Sequence, residues 1–258
     1  MADKDCPPVL AFREAGPADA PALVLLHGFG GSGGHFDPVL EALTSKAHVV
    51  LPDLPGHGRS FDVSGSRHPR AAAQAVLATM DALGLDRFHL AGFSMGGAVA
   101  CLTALQAPER VLSLTLLAPG GFGPEIAAET LRAFAAARTP EAVRSGLSRM
   151  MAPGAHVPDE DVAQVVDERA NDALVSELVA IAELITRDGR QGAIPRSILE
   201  NIACPVRLVW GTADPVLPVS QSGELPTGFD LRLVEGAGHL LVREGRDAVL
   251  EALSAPFS

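Results

Sequence analysis

Phe88-His-Leu-Ala-Gly-Phe-Ser-Met-Gly-Gly97 is the stretch that decides the fold of this 258-residue chain. It begins with an apolar run, which is typical of a strand buried on both faces of a parallel sheet. Gly92-Phe-Ser-Met-Gly96 then matches the pattern G-x-S-x-G, and a helical pattern follows. A strand, a sharp turn and a helix in this order expose the central serine, so Ser94 is predicted to be a nucleophile. Gly92 and Gly96 are expected to be required because side chains there would collide with the neighbouring strand and helix.

Similar apolar runs lie on both sides of this stretch and alternate with helical patterns. Strand-like runs cover residues 21–27, 47–51, 111–118, 206–210 and 229–234, and helical patterns cover residues 36–43, 69–83, 95–106 and 246–253. This alternation predicts an α/β fold with an open, doubly wound and mostly parallel sheet.

The spacing of apolar residues changes in the middle of the chain. There they repeat every three or four positions, as in amphipathic helices. Three prolines mark predicted helix starts there: Pro124, Pro140 and Pro158. The predicted organisation is a sheet core in residues 1–122, a helical cap in residues 123–202 and the second part of the core in residues 203–258. Such a cap is expected to lie over the carboxyl edge of the sheet, where open α/β sheets bind ligands.

Two downstream residues supply the base and the acid that a serine nucleophile requires. Asp214 lies in Trp210-Gly-Thr-Ala-Asp-Pro-Val216, just after a strand-like run, and His239 ends Glu235-Gly-Ala-Gly-His239, after the next one. Both are therefore expected at the same sheet edge as Ser94. The order serine, acid, histidine predicts a catalytic triad of Ser94, Asp214 and His239.

Backbone donors for a tetrahedral oxyanion are expected in the loop Leu26-His-Gly-Phe-Gly-Gly-Ser32, which follows the first core strand. We predict that the N–H groups of Phe29 and Met95 form the oxyanion hole. His27 and Gly28 are expected to support this loop.

Composition narrows the classes of function. Asp and Glu number 31 against 20 Lys and Arg, and the resulting charge of −11 disfavours nucleic acid and membrane surfaces as partners. The chain has no tyrosine, which excludes a phenol as catalytic acid, and no His, Cys, Asp or Glu cluster has metal spacing. No metal or cofactor is expected, and the expected partner is a small-molecule acyl substrate.

The compartment is predicted from the cysteines and the N-terminus. Cys6, Cys101 and Cys204 are too few and too widely spaced for a disulfide framework, and the first ten residues lack a signal-peptide pattern. The cytoplasm is therefore the expected location. The oligomeric state stays open between a monomer and a homodimer.

Five motifs in order along the chain resemble those of the α/β-hydrolase superfamily. They are His27-Gly-Phe-Gly-Gly31, Asp53-Leu-Pro-Gly-His-Gly-Arg-Ser60, Gly92-Phe-Ser-Met-Gly-Gly97, Gly211-Thr-Ala-Asp214 and Gly236-Ala-Gly-His239. Within this superfamily, Ala107-Pro-Glu-Arg-Val111 and Ala118-Pro-Gly-Gly-Phe-Gly-Pro-Glu125 resemble the hydrolase-like domain of the acetyltransferase component of acetoin dehydrogenase. That component carries an N-terminal lipoyl domain, whereas this chain begins directly at the hydrolase domain, so a free-standing hydrolase is expected.

The superfamily's dehalogenases and epoxide hydrolases place Asp at the elbow, and the latter also use cap tyrosines, so both are disfavoured here. The resemblance and the triad together predict a serine hydrolase that cleaves a carboxylic ester, thioester or lactone through an acyl-enzyme on Ser94. The alternatives are acyl transfer to a thiol acceptor, hydrolysis of an enol-lactone or a carbon–carbon bond, and a non-catalytic ligand receptor on the same fold.

The predicted cap carries eight arginines, among them Arg132, Arg138, Arg144 and Arg149. Most are expected to be solvated, and one is a candidate to bind a substrate carboxylate. Met150 and Met151 are interpreted as core filling, with a place in an acyl pocket as the alternative, and His57 is expected to be structural.

Overall fold

The computed structural model describes residues 7–63, 65 and 67–257, and within them seven strands form one sheet. The strands are β1 (Phe12–Ala15), β2 (Ala22–Leu26), β3 (His48–Pro52), β4 (Phe88–Phe93), β5 (Val111–Leu117), β6 (Val206–Gly211) and β7 (Phe229–Val234). Their order across the sheet is β1-β3-β2-β4-β5-β6-β7, and β1 alone among these strands is antiparallel to its neighbour. The predicted α/β fold with a mostly parallel sheet is confirmed.

The chain reverses its direction across the sheet between β2 and β4. From β2 it moves outward to β3, then crosses back to β4 and continues through β5 and β6 to β7. In open α/β sheets such a reversal leaves a crevice outside the carboxyl ends of the two strands. The loop after Leu26 and the turn at Ser94 follow these two strands, so the topology by itself brings them together.

Strand β1 was not predicted. It pairs with β3 from Phe12 opposite Pro52 to Ala15 opposite Val49, at the edge of the sheet. Its four residues include Arg13 and Glu14 and are partly exposed. This short edge strand lacks the continuous apolar run that is typical of strands buried on both faces, so its sequence does not indicate a strand.

Ten α-helices connect and cover the strands in the described part of the chain. They are α1 (Asp37–Thr44), α2 (Pro69–Ala82), α3 (Met95–Gln106), α4 (Ala128–Ala136), α5 (Pro140–Ser148), α6 (Asp159–Glu168), α7 (Asp172–Ile185), α8 (Arg196–Leu199), α9 (Leu241–Glu244) and α10 (Arg246–Ser254). Helix α2 packs against α3, and α1 packs against α10. None of these helices has both the length and the apolar character needed to cross a membrane.

Five of these helices, α4 to α8, lie between β5 and β6, and we call residues 123–202 the helical segment. Helix α4 packs against α5 and α7, and α5 packs against α6. Pro140 is the first residue of α5, where its missing N–H is harmless, and the Thr139 hydroxyl caps the same helix. Pro158 immediately precedes α6.

The predicted helix start at Pro124 is wrong. Helix α4 begins at Ala128, because residues 124–127 are used in backbone pairing with distant segments instead. Glu125 forms an isolated antiparallel bridge with Arg190, and the Ala127 N–H donates to the Val216 carbonyl at 3.0 Å. These contacts attach the start of the helical segment to its own end and to the loop after β6.

Two of the three cysteines fall in the described residues, and both carry free thiols: Cys101 is buried and Cys204 is partly buried. Cys6 and the rest of the first six residues, on which the signal-peptide prediction depends, lie outside the described residues.

Packing at the centre of the sheet leads to a first prediction. Leu116 in β5 is fully buried, so Leu116→Ala leaves a cavity, and we expect the free energy of unfolding to fall by about 2–5 kcal/mol. Leu233 in the edge strand β7 is 50% exposed, and Leu233→Ala should cost less than about 1 kcal/mol. Urea unfolding of both variants measures the difference, and equal losses would contradict the packing described above.

Candidate active site

Ser94 occupies a strained turn between β4, which ends at Phe93, and α3, which begins at Met95. Its backbone angles are φ 51° and ψ −119°, a conformation that costs a residue with a side chain about 1–3 kcal/mol. Hydrogen bonds hold the turn on both sides: the Ser94 N–H donates to Leu117 O at 3.0 Å, and the Ser94 carbonyl accepts from Gly120 N at 2.8 Å. This backbone conformation turns the Ser94 side chain out of the strand toward the crevice.

Two glycines make this turn sterically possible. A Cβ atom on Gly92 would lie 2.3 Å from the Gly96 carbonyl oxygen, and one on Gly96 would lie 2.4 Å from the Leu26 and His27 carbonyl oxygens. Since carbon and oxygen atoms do not approach so closely, any larger residue would push the elbow away from β2. The elbow therefore lies directly on the end of that strand.

Ser94, His239 and Asp214 form one hydrogen-bonded row, although 145 residues separate the first two in sequence. Ser94 Oγ is 3.0 Å from His239 Nε2, and His239 Nδ1 is 2.8 Å from Asp214 Oδ2. Both Asp214 and His239 are buried. With the Nδ1 proton donated to the carboxylate, Nε2 is free to accept the serine proton, which is the arrangement that activates a serine hydroxyl.

The Asp214 carboxylate is oriented by its own loop. Its Oδ1 atom accepts from the N–H groups of Val216 at 2.8 Å and Leu217 at 2.9 Å, which leaves Oδ2 to face the imidazole. The buried Trp210 indole N–H donates to Leu217 O at 3.0 Å and fixes the same loop. The loop after β6 thus sets the angle at which the carboxylate meets His239.

The two predicted oxyanion donors lie in the crevice between β2 and β4. Phe29 follows β2, and Met95 is the first residue of α3, where the N–H has no partner within the helix and the helix dipole favours negative charge. Neither N–H donates to an acceptor among the residues that the structure describes. Gly28 lets this loop approach the nucleophile, because a Cβ atom there would lie 2.8 Å from the Phe93 ring and 3.2 Å from Ser94 Cβ.

His27 ties the loop after β2 to the loop after β3. Its Nε2 atom accepts from the Leu54 N–H at 2.9 Å, so Nδ1 carries the proton and donates to Gly28 O at 2.8 Å. Burial lowers the pKa of His27, and the ring is therefore neutral. Both ring nitrogens of His27 therefore contact loop backbone.

His57 packs against Phe29. Its ring is buried and meets the Phe29 ring edge-on at 5.8 Å, while Nδ1 donates to Pro55 O at 3.1 Å. Burial lowers the pKa of His57 to about 3, so this ring is also neutral.

A pocket opens over Ser94 and His239, and both the core and the helical segment form its walls. Its apolar lining consists of Phe29, Phe93, Leu131, Phe134, Leu147, Met150, Val165, Leu240 and Val242. Its polar lining includes Asp161, Gln164 and Glu168 of α6 and Arg243 of α9. Met150 lies in the pocket, whereas Met151 is buried elsewhere in the core.

The α/β-hydrolase fold family matches residues 21–153, a range that contains the loop after β2 and the Ser94 turn. The chain belongs to this family. Among its relatives is the dihydrolipoyllysine-residue acetyltransferase component of the acetoin cleaving system. The protein from Pseudomonas putida is 33% identical over 96% of this chain, and that from Cupriavidus necator is 30% identical over 93%. Both the family and this nearer resemblance are as predicted from the motifs.

This α/β hydrolase spans 66% and 64% of the lengths of those two relatives. It is also similar to a solved bacterial membrane phospholipase A, with 28% identity and a TM-score of 0.77, over 95% of this chain and 81% of that one.

The arginines of the helical segment in this α/β hydrolase do not reach the pocket: none of the eight is among its described lining residues. Arg138 pairs with Asp172 and Arg144 with Asp159 at the surface. Arg169 is buried and donates to the carbonyls of Phe134 at 2.8 Å and Ala135 at 2.9 Å, at the C-terminus of α4. The arginine of the pocket wall is Arg243, which no sequence pattern indicated, and it is already paired with Asp161.

Sequence reasoning also missed His35. Its ring stacks on Phe93 with centroids 4.4 Å apart and lines the pocket. Burial lowers its pKa to about 3. No local signal marks this residue, because its position depends on how the loop after β2 folds back onto β4.

Among the described residues, no group of three or more His, Cys, Asp and Glu side chains is arranged to hold a metal ion.

The neutral histidines of this α/β hydrolase lead to a prediction about pH. The pKa of His57 is about 3 in the folded chain and about 6.5 in the unfolded chain, so unfolding takes up a proton between these values. The contribution of His57 to stability is therefore complete above pH 6.5 and is lost as the pH falls toward 3.

We expect His57→Gln to reduce the slope of unfolding free energy against pH between pH 4 and 6 by up to about 1.4 kcal/mol per pH unit. Urea unfolding across this range measures the slope. His156→Gln, at an exposed position of the helical segment, is the matched control and should keep the parent slope. An unchanged slope in His57→Gln would show that this ring is protonated in the folded chain.

Proposed function

We propose that this chain is a serine hydrolase that cleaves a carboxylic ester, thioester or lactone through an acyl-enzyme on Ser94. The observation that carries the proposal is the row from Ser94 Oγ through His239 to Asp214, with distances of 3.0 and 2.8 Å. A hydrogen-bonded serine with a buried histidine and aspartate, beside two unpaired backbone donors, has the chemistry of acyl transfer.

In the first half-reaction, Ser94 Oγ attacks the acyl carbonyl carbon while His239 Nε2 takes the hydroxyl proton. Asp214 stabilises the resulting imidazolium, and the N–H groups of Phe29 and Met95 donate to the oxyanion. When the tetrahedral intermediate collapses, the leaving alcohol or thiol takes the proton from His239. Water, deprotonated by His239, then attacks the acyl-enzyme, and Ser94 Oγ leaves with the proton from His239 as the carboxylic acid is released.

The helical segment is proposed to act as a cap that selects the acyl group. Helices α4, α5 and α6 supply Leu131, Phe134, Leu147 and Val165 to the pocket wall. The cavity has a volume of about 90 Å³, which is smaller than the ~150 Å³ apolar cavity that holds a benzene ring. The volume favours a short acyl group.

Acyl transfer to a thiol acceptor is a second candidate. It is favoured by the two acetoin-system relatives, which are dihydrolipoyllysine-residue acetyltransferase components. The same acyl-enzyme serves both reactions, because they differ only in whether water or a thiol attacks it in the second step.

The nucleophile gives the sharpest test. Ser94→Ala removes the attacking oxygen, so we expect kcat/KM for ester hydrolysis to fall by at least about 10³-fold, with the melting temperature retained or raised because alanine leaves the fold intact. Covalent labelling by a fluorophosphonate should disappear as well. Ser45→Ala, at an exposed position after α1, is the control and should keep both activity and labelling. Hydrolysis by Ser94→Ala near the parent rate would refute the proposal.

A substrate panel tests the acyl pocket. With p-nitrophenyl esters from acetyl to octanoyl, we expect kcat/KM to drop by at least about tenfold between butanoyl and octanoyl, because each added methylene must displace packed wall atoms. Leu147→Ala removes part of the wall and so enlarges the pocket, which should move the preference toward longer acyl chains. Equal rates along the series in both proteins would show that the acyl group lies elsewhere.

The same panel, extended to thioesters, lactones and a carbon–carbon bond substrate and repeated with a small dithiol present, separates the candidate reactions. Free acid as the main product at millimolar dithiol supports hydrolysis. Thioester as the main product supports the acyltransferase.

A further inference from the structure

Glu244 is the last residue of α9 and lies five positions after His239. Its partly buried carboxylate accepts three backbone hydrogen bonds. Oε1 accepts from the N–H of Ala152 at 2.7 Å and from that of Gly238 at 3.1 Å, and Oε2 accepts from the N–H of Leu240 at 3.1 Å. No lysine or arginine of the described residues forms an ion pair with it. The carboxylate is thus used entirely to hold backbone.

Two of these donors flank His239. Gly238 and Leu240 are its immediate chain neighbours, so one rigid carboxylate fixes the backbone on both sides of the imidazole. Hydrogen bonds from backbone N–H groups to a carboxylate are shorter and stronger than those between neutral groups. The position of His239 Nε2 relative to Ser94 therefore depends on Glu244.

The third donor belongs to the helical segment. Ala152 lies next to the stretch that contains Met150, whose carbonyl accepts the His239 N–H at 3.0 Å and whose side chain lines the pocket. The two backbones are in close contact, because a Cβ atom on Gly238 would lie 2.3 Å from the Ala152 nitrogen. Glu244 consequently connects the loop that carries His239 to the Met150 wall of the pocket.

We propose that Glu244 is a positioning residue that holds His239 at hydrogen-bonding distance from Ser94 and sets the Met150 wall against it. This inference rests on the proposed function of Ser94, His239 and Asp214 as a catalytic triad. Because a displacement of about 1 Å in a reacting group can lower the rate about 10²-fold, the effect should fall on the chemical step. Met150 is one of several apolar residues that line the pocket, so the ground-state binding of the acyl group should change less than the chemical step.

Glu244→Gln is the informative variant because it keeps the shape of the side chain. One oxygen becomes an NH₂ group, which cannot accept a hydrogen bond, so at least one of the three N–H groups then faces a donor. We expect kcat for ester hydrolysis to fall about 10- to 100-fold, as for a misplaced reacting group, with KM changed less than about threefold. The rate of fluorophosphonate labelling should fall with kcat, since labelling also requires His239 to activate Ser94.

Two further variants complete the test. Glu251→Gln, on the exposed side of α10, removes the same charge from a surface ion pair with Arg232 and should keep parent kinetics. Glu244→Asp retains the charge but is one methylene shorter, so it should recover part of kcat and also serves if the glutamine variant does not fold. Every rate is divided by the concentration of Ser94 that the fluorophosphonate titrates, so that a lower folded fraction does not count as lost catalysis.

Parent kcat per titrated site in both Glu244→Gln and Glu244→Asp would overturn the inference, and so would a loss confined to KM. A failure of the proposed function would be seen separately, as ester hydrolysis that persists in Ser94→Ala. The Glu244 variants do not test that point.

Discussion

The contact between the elbow and the end of β2 is the constraint on which the rest of the site depends. The chain passes from β4 to α3 in one residue, and this residue has φ 51°. The turn fits only because Gly92 and Gly96 bring backbone against backbone. The same contact places the first turn of α3 beside the loop after β2, so the nucleophile and the proposed oxyanion donors come together without any long side chain reaching between them.

Four histidines lie in or beneath this crevice, and their surroundings give them different roles. His239 Nδ1 lies 2.8 Å from a carboxylate oxygen, which would stabilise the imidazolium of the proposed reaction. His27, His35 and His57 have no such partner, and burial lowers the pKa of each, so they remain neutral. His27 binds backbone of the loops after β2 and β3, and His35 and His57 pack against Phe93 and Phe29.

The helical segment is attached to the core at the site itself. Arg243 pairs with Asp161 across one side of the pocket, and the Glu244 carboxylate binds Ala152 near another. Arg169, whose pKa burial lowers to about 10, caps the end of α4 beside Gly30 of the loop after β2. The helical segment therefore contacts the core both beside His239 and at the loop after β2.

Local patterns along the chain determined the order of the parallel strands and helices and the elbow at Ser94, and they predicted His239 and Asp214 as its base and acid. Such features follow from short-range rules: apolar runs for buried strands, glycines where backbones touch, and one order of serine, acid and histidine. They did not reveal β1, the irregular chain at Pro124, or His35, Arg243 and Glu244 around the pocket. These depend on pairing and packing between residues far apart in sequence. Only the tertiary structure decides that a carboxylate in α9 binds backbone from the helical segment, because that contact exists once both segments lie against the same edge of the sheet.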